Sequence, residues 1–399
     1  MIISAQTGAH GAHSSIGTRC LPSGVLKRTF VKPTSICRAA LLSCVGAVVA
    51  ITGAAQAAEL HVVATGLNNP RGLDFAPNGA LYIAEAGLGG NGPTVEGPEG
   101  PVHFGLTGSV TRLFKGVQTR LIEGLPSLAG DGGFAAGGPS GISFGKLGTG
   151  VLTIGLGLDP AVRDAVLGAQ GAMMGSVFQL NPSGKLKLIA DLAAVEGARD
   201  PDGSGPDSNP TGAWNEPGGT FVTDSGGNSL LSIAANGRVT VAAVFPARPV
   251  ATPPFLPQPP FPPVLSMQSV PTNVVRGPDG ALYVSELTGF PFPVGGARIY
   301  RVIPGTSPQV YATGFTNIID LEFDAAGNLY VLELDANSLL APEATGRLAR
   351  VNAVSGVVET IVSEGLVMPG GMAIGPDGGI YITNFSTAPG AGVVVRVQP

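Results

Sequence analysis

Acidic and amide side chains recur at two points of a repeating pattern along this chain. Glu85, Asp224, Glu286, Glu333 and Asn384 each close a short strand-like run, such as Leu81-Tyr82-Ile83 or Leu329-Tyr330-Val331. Asn69, Arg71, Asn209, Asn273 and Asn317 stand at the entry to the run before it. Hard oxygen donors drawn from several segments suit Ca²⁺, which takes six to eight oxygens. The first five are therefore candidate metal ligands, and Arg71, Asn209, Asn273 and Asn317 candidate ligand-binding residues. Carboxylates gathered in this way would have raised pKa values unless a cation offsets them. The plainer alternative is that each one caps backbone donors of a neighbouring loop.

A further oxygen-rich stretch runs from Asp200 through Asp202, Ser204 and Asp207. It partly imitates a calcium loop, D-x-D-x-[DNS]-G, but Thr211 stands where the twelfth-position glutamate belongs. Other chemistry is thin, and catalytic residues stay unassigned. The chain lacks G-x-S-x-G and H-E-x-x-H, so serine and zinc hydrolase templates have little to rest on. After Glu59 the only histidines are His61 and His103, and His103, in an insertion, is the one candidate for a base near the repeated acids. Trp214, the lone tryptophan, sits beside Asn215 and Glu216; it could stack a ring-shaped ligand or serve as packing.

The elements that position these groups come from internal repetition. NPRGLDFAPNGALYIAEAG from Asn69, PTNVVRGPDGALYVSELTG from Pro271, NIIDLEFDAAGNLYVLELDA from Asn317 and PGGMAIGPDGGIYITNFS from Pro369 are copies of one unit. Diverged copies start at Pro139 and Pro210. Asn78-Gly79, Asp279-Gly280 and Asp377-Gly378 read as two-residue hairpin turns. Two more strand-like runs follow each copy, for example Arg347–Val351 and Val357–Val362. Each unit thus holds about four strands, and six such units predict a six-bladed all-β propeller over residues 59–399. Only three strands remain for the last unit, and Leu60–Ala64 is an orphan whose text matches the outer strand at Tyr311–Phe315. The N-terminal strand is expected to complete the last blade. Insertions fall at 88–106, 158–175, 193–209 and 246–271; the last is rich in proline and should run as loop without a ladder. It could dock in an aromatic groove or simply cover the surface.

Composition agrees with exposed turns between strands: 61 glycines, 35 prolines and only 12 % charged residues. Residues 1–58 read as an export segment. They carry Arg19, Lys27, Arg28, Lys32 and Arg38 and no acid, then an apolar core at 39–51 and the small residues Ala55-Gln56-Ala57-Ala58. The apolar run is too short for a membrane span. Cys20, Cys37 and Cys44 all lie within this segment, so cleavage would leave no disulfide, zinc-thiolate or thiol nucleophile. It would also move the net charge from −5 to about −10, which disfavours nucleic acid or anionic membrane as a partner. A periplasmic or secreted location follows.

Several loop words resemble the ScyD/ScyE family: Gly90-Asn91-Gly92-Pro93, Gly97-Pro98-Glu99-Gly100, Gly105–Thr111, Pro201-Asp202-Gly203, Asp207-Ser208-Asn209-Pro210 and Thr223–Asn228. The resemblance runs from Leu60 to Val397. It implies an exported propeller related to NHL-type repeats, and it implies fold and compartment better than activity. Two departures stand out. Thr211-Gly212 replaces an aromatic after Asn209-Pro210, and the first-blade loop has none of the cysteines that often brace it.

Two functional expectations follow. The first is an exported propeller that binds a protein partner or small molecule on its channel face. The second is a metal-dependent, calcium-using hydrolase of the lactonase type, with Glu85, Glu286, Glu333 or Asn384 as ligands and the metal polarising a carbonyl.

Overall fold

The computed structural model describes residues 58–398, so the segment expected to direct export lies outside the described residues except for Ala58. Six antiparallel sheets form the six blades of a β-propeller. Their inner and second strands are Pro70–Phe75 with Leu81–Glu85, Pro139–Phe144 with Gly150–Ile154, Pro210–Glu216 with Gly219–Asp224, Pro271–Arg276 with Leu282–Glu286, Ile318–Phe323 with Leu329–Glu333, and Gly371–Ile374 with Ile380–Asn384. The six inner strands meet in ring order, the sixth touching the first. In the sixth sheet the outer strand comes from the other end of the chain. Leu60–Leu67 pairs antiparallel with Gly392–Val397, with Leu60 opposite Val397 and Leu67 opposite Gly392.

The repeated Asp-Gly and Asn-Gly words make these hairpins, though by a different turn from the one expected. Positive φ falls on the glycine alone, 82° at Gly79 and 80° at Gly280, and not on Asn78 or Asp279. Gly79 N–H donates to Ala76 O, and Ala76 N–H donates to Ala80 O. This is a type I turn followed by a left-handed glycine, which adds residues to the loop while keeping the strand twist. The residue before glycine then works as an anchor. Asp279 accepts from Ala281 N–H, the Tyr283 hydroxyl and Arg301 Nε, and Asp377 does the same with Gly379, Tyr381 and Arg396.

Polar ties cross every interface between neighbouring inner strands. Phe144 N–H donates to Asp74, joining the first and second blades. Thr153 Oγ1 donates to Thr211 O, Thr223 to Thr272 O, Thr272 to Ile318 O, and Thr383 to Arg71 O. Met372 N–H donates to Asp320, joining the fifth and sixth blades. Between these ties the apolar faces pack blade on blade: Leu321, Leu329 and Val331 lie against Ile299 and Phe315, and Met372 and Ile382 against Leu332 and Leu348. Inner strands run so close that a Cβ on Gly72 would sit 2.8 Å from Ser140 O.

The insertions carry structure of their own. In the first blade, Thr94–Gly97 folds onto the start of the long strand Gly100–Phe114, with Thr94 opposite His103. The 193–209 insertion opens with a helix, Leu192–Arg199, capped at its start by Asp191, which accepts Ala194 N–H at 2.9 Å. The proline-rich segment corrects its expectation in part. Arg248–Ala251 pairs with Val264–Met267, and only the tip between them is loop. A two-stranded ribbon leaves half its backbone groups facing outward, so Pro249 can sit opposite Ser266.

Candidate functional site

The five second-strand residues lie where the repeat placed them, and each is buried at its own blade's entrance. Glu85 accepts Asn68 N–H at 2.7 Å, Asp224 accepts Asn209 N–H at 2.6 Å, Glu333 accepts Thr316 N–H at 2.6 Å, and Asn384 accepts Val367 N–H at 2.7 Å. Glu286 takes the Ser269 hydroxyl instead. An arginine neutralises each glutamate: Arg120 for Glu85, Arg248 for Glu286 and Arg347 for Glu333. Arg248 arrives from the proline-rich ribbon, a contact that repeat spacing does not reveal. Burial raises the pKa of Asp224 and Glu333 against these donors. Each of these five residues thus holds a loop N–H, a hydroxyl or a guanidinium.

The inner-strand entries divide. Arg71, Asn209 and Asn273 line the central channel, a cavity of about 300 Å³. Arg71 donates from Nη2 to Ala136 O, and burial lowers its pKa to about 10 despite nearby Glu99. Asn209 fills the space beside Gly155, where the second blade has no acidic residue: a Cβ on that glycine would collide with Asn209 Oδ1. Asn317 and Asn69 are buried away from the cavity in left-handed conformation, φ 44° and 49°. Asn317 Nδ2 donates to Leu287 O, and Asn69 Nδ2 donates to Gly87 O and Gly133 O. Asparagine tolerates that conformation better than most residues. His103 is held on the first-blade insertion by Thr94 and Asp131, and His61 is exposed on the first strand.

Deeper in the channel lie three carboxylates that the repeat reading passes over. Asp74 on the first inner strand and Asp320 and Glu322 on the fifth all line the cavity. Asp74 accepts Phe75 N–H and Phe144 N–H; Asp320 accepts Leu321 N–H, Met372 N–H and Asn273 Nδ2. Desolvation nevertheless pushes Asp74 and Asp320 up to about 7, and the charge of Asp74 adds to the shift of Asp320. Glu322 is raised well above the usual carboxylate range by burial and by the charges of Asp74 and Asp320. Trp214, from the third blade, also lines the cavity, with its Nε1 donating to Glu216 at 2.9 Å. Among the described residues, Arg71 is the one cationic side chain that lines the cavity. Asp74 and Glu322 sit at corresponding positions of their strands, while an apolar residue, Val275 or Ala373, fills that position in two other blades. A polar break in an apolar inner strand was the available signal.

Fold and site define a six-bladed β-propeller with an acidic channel. No family model matches the sequence, and no curated protein matches it either. Solved structures do resemble it. A protein of unknown function from Bacteroides thetaiotaomicron superposes with TM-score 0.51 at 10 % identity, over 85 % of this chain and 72 % of that one. One from Thermus thermophilus, provisionally named an oxidoreductase (glucose dehydrogenase), gives TM-score 0.50 at 17 % identity, over 86 % and 100 %. Another, provisionally named a gluconolactonase, gives TM-score 0.48 at 12 % identity, over 86 % and 92 %. At such identities the likeness extends to the propeller fold alone.

Proposed function

We propose that the protein binds a small organic cation in its central channel. One observation carries this reading: Asp74, Asp320, Glu322 and Trp214 line a cavity of about 300 Å³ against a single arginine. Carboxylates whose ionisation burial opposes gain when a cation enters, because its charge replaces lost hydration. An indole face adds attraction for an ammonium group, of order 0.5–2 kcal/mol. The ScyD/ScyE resemblance and an exported location belong to the same proposal and rest on the loop words and the leader-like N-terminal residues.

A second reading, lactonase-type hydrolysis assisted by a metal, is favoured by the two acids near pH 7, since a general acid–base group works best near the operating pH. Calorimetric titration of the full chain with putrescine, spermidine and choline distinguishes the readings. Saturable binding of at least one, weakened tenfold or more in Glu322→Gln and in Trp214→Leu, is the expected result. Absence of binding, together with turnover in a lactone and ester screen, would replace the first reading by the second.

A further inference from the structure

A second group of carboxylates lies outside the channel lining, where the 192–199 helix passes into the third blade's entry loop. Glu196, on that helix, is 1 % exposed, and neither of its carboxylate oxygens has a hydrogen-bond partner among the described residues. One oxygen each from Glu196, Asp200 and Asp202 lie within 4.8 Å of one another. The Glu196 carboxylate is pressed against backbone, because a Cβ on Gly227 would lie 2.5 Å from Oε2. The two aspartates are held in place by the loop: Gly205 N–H donates to Asp200, while Ser204 N–H and Asn228 Nδ2 donate to Asp202. Each carboxylate oxygen has two lone pairs, so these bonds orient the group and leave acceptor capacity unused.

The charges that act on Glu196 all have its own sign: Asp224, Asp202, Asp200 and Asp207. An ionised carboxylate buried without a partner is strongly unfavourable and must be neutralised by a proton or a cation. Here the surroundings favour the cation. Three carboxylate oxygens already stand at a spacing that one ion can bridge, two come from a loop of the D-x-D type, and no arginine or lysine among the described residues pairs with Glu196. We infer that Glu196, Asp200 and Asp202 bind one hard divalent cation, Ca²⁺, outside the channel and independently of the channel ligand. Glu196 then does from the preceding helix what a twelfth-position glutamate does in the sequence motif. The ion would tie the helix to a loop whose far end, Asp207 and Asn209, lines the channel mouth.

The test uses the full chain, stripped with EDTA and dialysed, titrated with CaCl₂ by calorimetry and followed by thermal unfolding. The expected result is one bound Ca²⁺ per chain and a higher unfolding temperature. At free Ca²⁺ a hundredfold above Kd, the folded-to-unfolded ratio should rise about a hundredfold. Glu196→Gln should abolish both effects and Asp202→Asn should weaken binding at least tenfold, while Glu322→Gln in the channel should keep both. Far-ultraviolet dichroism and Trp214 emission check that Glu196→Gln is folded, and Asp202→Asn decides if it is not. Three results overturn the inference: no Ca²⁺ binding by the unsubstituted chain, binding retained in Glu196→Gln, or binding lost in Glu322→Gln. The first would make Glu196 a buried protonated acid. Organic-cation titration of Glu196→Gln keeps the two proposals separable, since the channel residues are untouched.

Discussion

Glu333 shows how one buried carboxylate is used in this protein. It accepts Thr316 N–H on one side and the Arg347 guanidinium on the other, so it fixes the entry of the fifth inner strand to the exit of the second. Removing one member of such a pair leaves the other charged and desolvated, which costs about 3–5 kcal/mol when the pair is buried and less where the partner reaches solvent. Arg347 is partly exposed. Arg347→Met should therefore lower stability by roughly 2–3 kcal/mol, and Arg347→Met with Glu333→Gln by less than the sum of the single changes. Urea unfolding of the three variants measures this, and simple additivity would contradict the pairing. Asp224 and Asn384 use the same position without an arginine, and each still accepts a backbone N–H of the entry loop.

At the scale of elements, the inner strands depend on small residues and hydroxyls. A Cβ on Gly141 would lie inside the contact distance of Thr211 O, a backbone atom that cannot rotate away. Gly141→Ala should then destabilise by more than the ~1–3 kcal/mol typical of overpacking, because two blades must separate. Thr153→Val tests the polar tie at the same interface. It keeps the shape but leaves Gly141 N–H and Thr211 O without their hydroxyl partner, at a cost of about 1–3 kcal/mol for each orphaned group. Equilibrium unfolding of both variants checks these outcomes; a neutral Thr153→Val would remove the tie from the account. The insertions follow a different rule. Arg163, from the 158–175 insertion, holds Asp191 through two parallel bonds of 2.8 and 3.0 Å, so one insertion anchors the helix that begins the next.

At the scale of the whole molecule, the ring concentrates charge that no single blade would. Asp74 belongs to the first blade and Asp320 and Glu322 to the fifth, yet the charge of Asp74 raises the pKa of both fifth-blade acids across the channel. The two aspartates move from an ordinary value of 3.8 to about 7, so between these limits the folded state holds more protons than the unfolded chain. Their contribution to stability is therefore complete below about pH 4 and is lost as pH rises toward 7. Melting temperature should fall from pH 5 to pH 8, with a shallower slope and a higher value at pH 8 in Glu322→Gln. A slope that does not respond to this substitution would mean the channel acids are ionised without penalty. A bound organic cation should flatten the same slope in the unsubstituted protein, because it favours the ionised carboxylates.

The sequence by itself determined the number of blades, the place of most strands to within one or two residues, and which residue ends five of the six second strands. These follow from local rules: alternation on a pleated strand, a turn that needs glycine, and a unit that cannot bury both faces alone. It could also mark Asp200 and Asp202 as an oxygen-rich pair, because their spacing is local. What those carboxylates face was decided only by tertiary structure. Glu85, Glu286 and Glu333 could be read as ligands or caps, and the arginines they meet, 35, 38 and 14 residues away, are not visible in the spacing. Asp74 and Asp320 look like ordinary strand residues until the ring places them in one desolvated channel. Glu196 looks like a solvated helix residue until Gly227, from another strand's end, closes over it. Charge acts through space and desolvation depends on every neighbour, so the chemistry of these sites exists only once the ring has formed.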